Sequence, residues 1–198
     1  MKRVLRILII LFMAATIGGA PNGPCVIPGR SHFRIHVGTA GLFGAFAHDH
    51  LVEARKIEGC ASIDTKDLAH SSIKLNFPTA DIRVMDPKES AEERAKVQKA
   101  METEVLRISE YPRVTFESRG IERATAGQLR VRGDLTIRGK TQSVVIPLTL
   151  SHQADGTYRA VGKFSFKQSA LGIKPIKLAG GTVRVKDQLK TEFEIFLK

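Results

Sequence analysis

Gln128-Leu129-Arg130-Val131-Arg132-Gly133-Asp134-Leu135-Thr136-Ile137-Arg138 alternates without a break. Leu129, Val131, Leu135 and Ile137 fall on one side, with Gly133 in the same register. The arginines, Gln128, Asp134 and Thr136 fall on the other. Side chains of a strand point alternately to its two faces, so this stretch predicts a strand with one dry face and one wet one. Gly139-Lys140-Thr141-Gln142 reads as a turn, and the return run puts Val144, Ile146, Leu148 and Leu150 on a common face. The pair predicts a long antiparallel hairpin. A lone hairpin is not stable in water, so more sheet must cover its apolar side.

Working outward, the same period recurs. Phe33, Ile35 and Val37 alternate with His32, Arg34 and His36. Ile73, Leu75 and Phe77 alternate with Ser72, Lys74 and Asn76. Val114 and Phe116, then Phe164 and Phe166, and finally Phe193, Ile195 and Leu197 repeat it. One helix interrupts the strands. Val97, Met101, Val105 and Ile108 recur at steps of four and three, which predicts a helix from Asp86 to about Ile108. Asp86 is its expected N-cap, Pro87 its first residue, and Glu89 the partner in a capping box. Pro112 ends it. The expected architecture is antiparallel β, either a sandwich or a closed barrel, with one inserted helix. A barrel of about eight strands has room for one small ligand.

The chain has 198 residues, enough for one domain, and a net charge of +11 from 31 basic and 20 acidic side chains. Lys2, Arg3 and Arg6 precede an apolar run from Ile7 to Ile17 and the small residues Gly18-Gly19-Ala20. This is the pattern of a secretory signal peptide over residues 1–20, which leaves one domain over 21–198 and a periplasmic or secreted location. The apolar run is short for a membrane span. Without its three basic residues, 28 basic and 20 acidic residues remain, a net +8. Cys25 and Cys60 are the only cysteines, and in an exported chain an even count predicts a disulfide between them.

Several stretches, taken together, resemble the YceI-like, polyisoprenoid-binding family. Tyr111-Pro112-Arg113-Val114-Thr115-Phe116-Glu117-Ser118 is similar to its YP.I.F.S segment, and Gly133 to Thr141 to its GDLTIRGVT segment. Gly172-Ile173-Lys174-Pro175 resembles a later loop, and Ser31 to Ile35 fits its first strand. The resemblance covers about Arg30 to Lys198. It implies a lipocalin-like antiparallel β-barrel, usually exported, with an elongated apolar cavity for an isoprenoid or another lipid chain. Three stretches depart from the family's pattern: Ala40 to His50, Met101 to Leu106, and Ser169 to Leu171. The chain thus resembles a divergent branch.

Three groups of residues are candidates for function. The apolar strand residues Phe33, Ile35, Ile73, Leu75, Phe77, Phe116, Leu135, Ile137, Phe164 and Phe166 either line a ligand cavity or pack one another as a filled core. His48 and His50 would share one face of a strand, and His32 and His36, which also share a face, could lie near them. Imidazole pairs of this kind suit Zn²⁺ or Cu²⁺, or a haem-linked envelope protein. Two histidines alone do not complete a metal site. Arg130, Arg132, Arg138, Lys163 and Lys167 form a basic outer face that would attract an anionic membrane surface. The aromatics lie on the apolar faces and not beside these cations, which argues against a nucleic-acid partner. No nucleophile elbow, phosphate loop or metalloprotease motif is present, so no catalytic residue is nominated. The expected protein is a monomeric or homodimeric binding module for a hydrophobic ligand, with no required cofactor. The alternatives are a metal- or haem-linked protein and a structural or interaction domain.

Overall fold

The computed structural model describes residues 23–40, 49–178, 180 and 182–198. The proposed leader and His48 lie outside the described residues. In chain order the strands are β1 His32–Val37, β2 Thr39–Ala40, β3 His50–Ala54, β4 Glu58–Ser62, β5 Ser72–Pro78 and β6 Ile82–Val84. Helix α1 spans Ala91–Ala100. There follow β7 Arg113–Arg123, β8 Gln128–Ile137, β9 Lys140–His152, β10 Tyr158–Lys167, β11 Lys177–Leu178, β12 Val183–Val185 and β13 Gln188–Leu197.

Strands β8 and β9 pair from Gln128↔Thr149 to Ile137↔Lys140. The turn between them is Arg138-Gly139, tighter than the run from Gly139 to Gln142 read from sequence. Both residues have positive φ, 52° and 68°, which is the type I′ geometry whose twist matches that of flanking strands. Leu129, Val131, Leu135 and Ile137 are buried, as are Val144, Ile146 and Leu148 across from them. Gly133 stands in that inward row because the Phe116 ring occupies the side-chain space. A Cβ there would lie 2.5 Å from Phe116 Cζ.

The main sheet is antiparallel and has ten strands in the order β4-β5-β7-β8-β9-β10-β13-β1-β3-β6. The count exceeds the expected eight for a local reason. β3 and β4 are one run of chain broken at residues 55–57, and β5 and β6 are one run broken at residues 79–81. The same two runs pair on both sides of the breaks. The sheet curls on itself, and the chain leading into β1 forms a seam. On one side Val26 N donates to Gly59 O at 2.9 Å and Ala61 N to Pro24 O at 2.9 Å. On the other side Cys25 N donates to Lys198 O and Ile27 N to Phe196 O, both at 2.8 Å. Cys25 and Cys60 are therefore a pair flanked by, not exchanging, hydrogen bonds. Pairs of this type bring the Cα atoms closest. Their Cα atoms are 3.9 Å apart and the sulfurs are bonded. Arg30 reinforces the seam by pairing with Asp155 at 2.9 Å. Asp155 also accepts from Thr157 Oγ1 at 2.6 Å, and these contacts, Thr157 foremost, hold its carboxyl well below the ordinary range.

The opposite free edge, β6, is covered by the helix. Val84 N donates to Gln98 Oε1 at 2.8 Å, and Gln98 Nε2 donates to Ile82 O at 2.9 Å. A covered edge cannot recruit another strand. Helix α1 starts later than the sequence pattern suggests. Its N-cap is Ser90, with Glu93 completing the capping box. Asp86 is not the cap, because its carboxylate is already taken by β3. Leu51 N donates to Oδ1 at 2.5 Å and His50 Nδ1 lies 2.7 Å from Oδ2. After Ala100 the helix widens to a π-turn over Met101–Val105, closed by Leu106 N donating to Met101 O at 2.8 Å. Arg138, from the β8–β9 turn, donates to Val105 O at 3.1 Å and ties the end of this helical segment to the barrel. A smaller sheet, β11-β12-β2, lies beside the main one.

Replacing Cys25 and Cys60 together by serine opens a loop of 35 residues' separation. The variant is expected to lose roughly 3–4 kcal/mol of stability by the chain-entropy relation. Guanidinium unfolding of the oxidised and variant proteins measures this, and coincident midpoints would show that the seam holds without its bond.

Candidate functional site: an apolar cavity with a polar rim

The inward rows of the barrel do not fill it. A cavity of about 380 Å³ opens between the sheet, the α1 segment and the loop after β10. Of the ten residues singled out in sequence, Phe33, Ile35, Phe77, Leu135, Ile137, Phe164 and Phe166 line it. Ile73, Leu75 and Phe116 line a second space of about 60 Å³ further along the barrel. Phe33, Phe77, Leu135 and Phe164 border both, so they form the partition between the two. The partition is aromatic. The Phe33 ring lies 5.0 Å from Phe77, 6.3 Å from Phe164 and 6.0 Å from Phe193, centroid to centroid. These separations are within the range in which aromatic pairs attract.

Other parts of the lining were not picked out from the strand pattern. Val97, Met101 and Val105 face the cavity from the helical segment, so the helical stripe is a wall of the cavity. That stripe was legible as an apolar face, though its role was not. Val52, Ala54, Ile82 and Val84 come from the two broken runs, too short to show a clear period. Ile173 and Ile176 come from the loop after β10, where no periodicity exists to be read, and Val185 from β12, a strand of three residues.

Among the described residues, polar groups reach the lining only at His50, Lys96 and Gln168. His50 is inward because it shares the parity of Val52 and Ala54 along β3. It is opposite Val37 in the β1–β3 register, whereas His36 is opposite Leu51. His32 and His36 therefore lie on the outer face, where they approach Glu53 at 3.3 Å and Glu192 at 3.4 Å. The expectation that they lie near the His48–His50 pair is corrected for His50, which this parity puts on the opposite face. Asp49 accepts from Thr39 N at 2.9 Å. His50 instead meets Asp86 and Glu89, residues that carry the local sequence signs of a helix cap.

The basic outer face is laced with carboxylates. Arg130 and Arg132 both reach Glu122, at 3.5 and 2.5 Å, and Lys163 reaches Glu192 at 3.3 Å. Arg119 donates to Asp134 at 2.8 Å and holds its carboxyl below the usual range, with help from Ser143.

A family model described as the YceI-like domain matches residues 28–197. The chain belongs to the YceI-like family. Among curated relatives, a UPF0312 protein of Azotobacter vinelandii is 28% identical over 116 residues, covering 58% of this chain and 53% of the relative. A UPF0312 protein of Vibrio cholerae is 32% identical over 111 residues, covering 56% and 51%. The chain thus spans about half the length of the curated relatives it matches. Solved structures also share this fold. Burkholderia cenocepacia BcnA superposes with a TM-score of 0.67 at 19% identity, covering 86% of this chain and 98% of that one. A polyisoprenoid-binding domain of Saccharophagus degradans gives 0.66 at 9% identity, covering 89% and 98%. The Campylobacter jejuni YceI protein gives 0.56 at 14% identity, covering 73% and 82%.

In this YceI-like barrel, Phe77→Ala is the direct probe of the partition. Phe77 is 5% exposed and contacts Phe33. Truncating a packed phenylalanine costs about 3–5 kcal/mol. With open space already on both sides, little packing is left to lose, and a loss at or below about 3 kcal/mol is expected in urea unfolding. A loss of about 5 kcal/mol would mean that the partition is packed as tightly as an ordinary core.

Proposed function

We propose that this protein is an exported carrier that holds a long hydrophobic molecule, a polyisoprenoid or other lipid chain, inside its barrel. The observation that carries the reading is the cavity of about 380 Å³ whose walls are apolar side chains from β1, β3, β5 to β8, β10 and the helical segment. An alkyl chain needs no directional chemistry to bind such a wall, since each buried CH₂ contributes roughly 0.8 kcal/mol. The few polar groups of the lining suit a molecule with a polar head and a long tail. The polyisoprenoid-binding domain of Saccharophagus degradans, similar in fold, supports the same class of ligand. Binding, not catalysis, is the proposed activity.

Export is the second part of the proposal. It rests on the basic start, the apolar run and Ala20. A mature protein with a net charge of +8 would also be drawn to anionic membranes, where a lipid carrier loads and unloads. Intact mass of the protein from the periplasm is expected to show the loss of about residues 1–20 and of two hydrogens for the Cys25–Cys60 bond. A full-length, reduced species in that compartment would refute export.

Leu135→Gln separates a cavity from a filled core. Leu135 borders both spaces. A polar amide there opposes a hydrocarbon ligand by about 1–3 kcal/mol, or roughly tenfold in affinity, while in the empty barrel it can be wetted. A fluorescent fatty or isoprenoid probe is expected to bind the delipidated wild type and to bind the variant roughly ten times more weakly. The variant should keep a cooperative melting transition. An unfolded variant beside a wild type that never binds the probe would mean that the barrel is simply full.

A further inference from the structure

We infer that His50, Asp86 and Glu89 form a binding site for a divalent transition-metal ion of the zinc type at the rim of the cavity. One donor atom from each of the three residues lies within 4.8 Å of the others. His50 Nδ1 is 2.7 Å from Asp86 Oδ2 and 3.6 Å from Glu89 Oε1. Around a tetrahedral zinc, with bonds of about 2.0–2.1 Å, neighbouring ligand atoms stand about 3.3 Å apart. The observed separations bracket that value. An ion would take the place of the His50–Asp86 hydrogen bond, and the two side chains would part by a fraction of an ångström.

The His50–Asp86 contact alone has an ordinary structural account: Asp86 pins the chain after β6 to β3 through His50 and Leu51 N. Glu89 does not fit that account. Its Oε2 is shielded from solvent and has no hydrogen-bond partner among the described residues. Its Oε1 lies too far from His50 for a hydrogen bond. Asp86 is 6% exposed, and the Glu89 side chain 12%. Two carboxylates so placed, shielded from solvent, are a setting that a shared cation relieves. Arg94 lies beside them, but its Nη1 donates to the main-chain carbonyls of Asp86 and Glu89, at 3.1 and 2.5 Å, and not to their carboxylates. Arg94 thereby holds the residue 86–89 turn in shape and makes no ion pair with either carboxylate.

The donor set selects the metal. Calcium and magnesium take oxygen ligands, six or more for calcium and six in an octahedron for magnesium. One imidazole nitrogen with two carboxylates suits zinc and its neighbours in the first transition row. Three protein ligands leave a fourth position for water or for an oxygen of a bound molecule. His50 also lines the cavity, so the ion would stand at its edge. The site does not depend on the nature of the hydrocarbon ligand.

The test uses delipidated mature protein and the metals alone. Zn²⁺ is expected to bind one per chain by calorimetry, and Co²⁺ to give the visible absorption bands of a tetrahedral site. Glu89→Gln keeps the shape of Glu89 and removes its charge. It is expected to weaken Zn²⁺ by at least about tenfold, and to abolish the rise in melting temperature that Zn²⁺ gives the wild type. His50→Gln is expected to do the same. A His32→Ala, His36→Ala variant, altered only on the outer face, is expected to bind as the wild type does. The site is overturned by no uptake of either metal by folded wild type, or by Zn²⁺ bound equally well by wild type, Glu89→Gln and His50→Gln. Loss of binding in the outer-face variant alone would move the metal to the surface histidines and equally overturn it.

Discussion

The structure depends on the seam at residues 24–27. A curled sheet is a container only if its rim is joined, and an unjoined rim leaves backbone groups that another chain can pair with. Here a stretch of four residues hydrogen-bonds to β4 on one side and to the end of β13 on the other. The Cys25–Cys60 bond locks the first of these contacts. Helix α1 treats the other exposed edge differently, with the Gln98 side chain standing in for a strand. With both edges occupied, the inward rows face one another across the interior, and their shapes decide how much of it stays empty.

That interior divides into two unequal spaces because of where the phenylalanines fall. Phe116 lies over Gly133 and Phe193 over Gly162. A Cβ on either glycine would come 2.5 Å from the ring. The glycines thus let rings lie flat on neighbouring strands and fill the narrower half. Phe33, Phe77 and Phe164 stand between the halves. The larger half has no such filling, and the helical segment with its π-turn roofs it using Val97, Met101 and Val105. A π-turn enlarges the helix by one residue per turn and is frequent at functional sites.

The strands were legible in the sequence because period two survives wherever one face is wet. All of the nominated cavity residues come from such runs, and each borders one of the two spaces. The rest was hidden for identifiable reasons. β3, β4 and β6 are three to five residues long, too short for a period. The family resemblance, and not periodicity, pointed to a hollow barrel: alternation cannot distinguish a cavity from a core, since both need apolar inward faces. The helix start was misplaced because Asp86-Pro87 and Glu89 carry the local signs of a cap, while the group that claims Asp86 lies 36 residues earlier at His50. Ser90, with Glu93 three residues later, offered the same capping-box spacing and is the cap in the fold. His50 could be nominated, but its carboxylate neighbours come together only through the β3–β6 pairing.

The most direct test of the central claim, a hydrocarbon chain held inside the barrel, is native mass spectrometry of the mature protein purified from its own cells without detergent. A hollow carrier predicts a mass above that of the disulfide-bonded polypeptide, by the mass of a long-chain lipid. The excess should disappear on solvent extraction and return on incubation with the extract. A mass equal to the bare polypeptide before extraction, with no gain on incubation with lipid extract, would contradict the account.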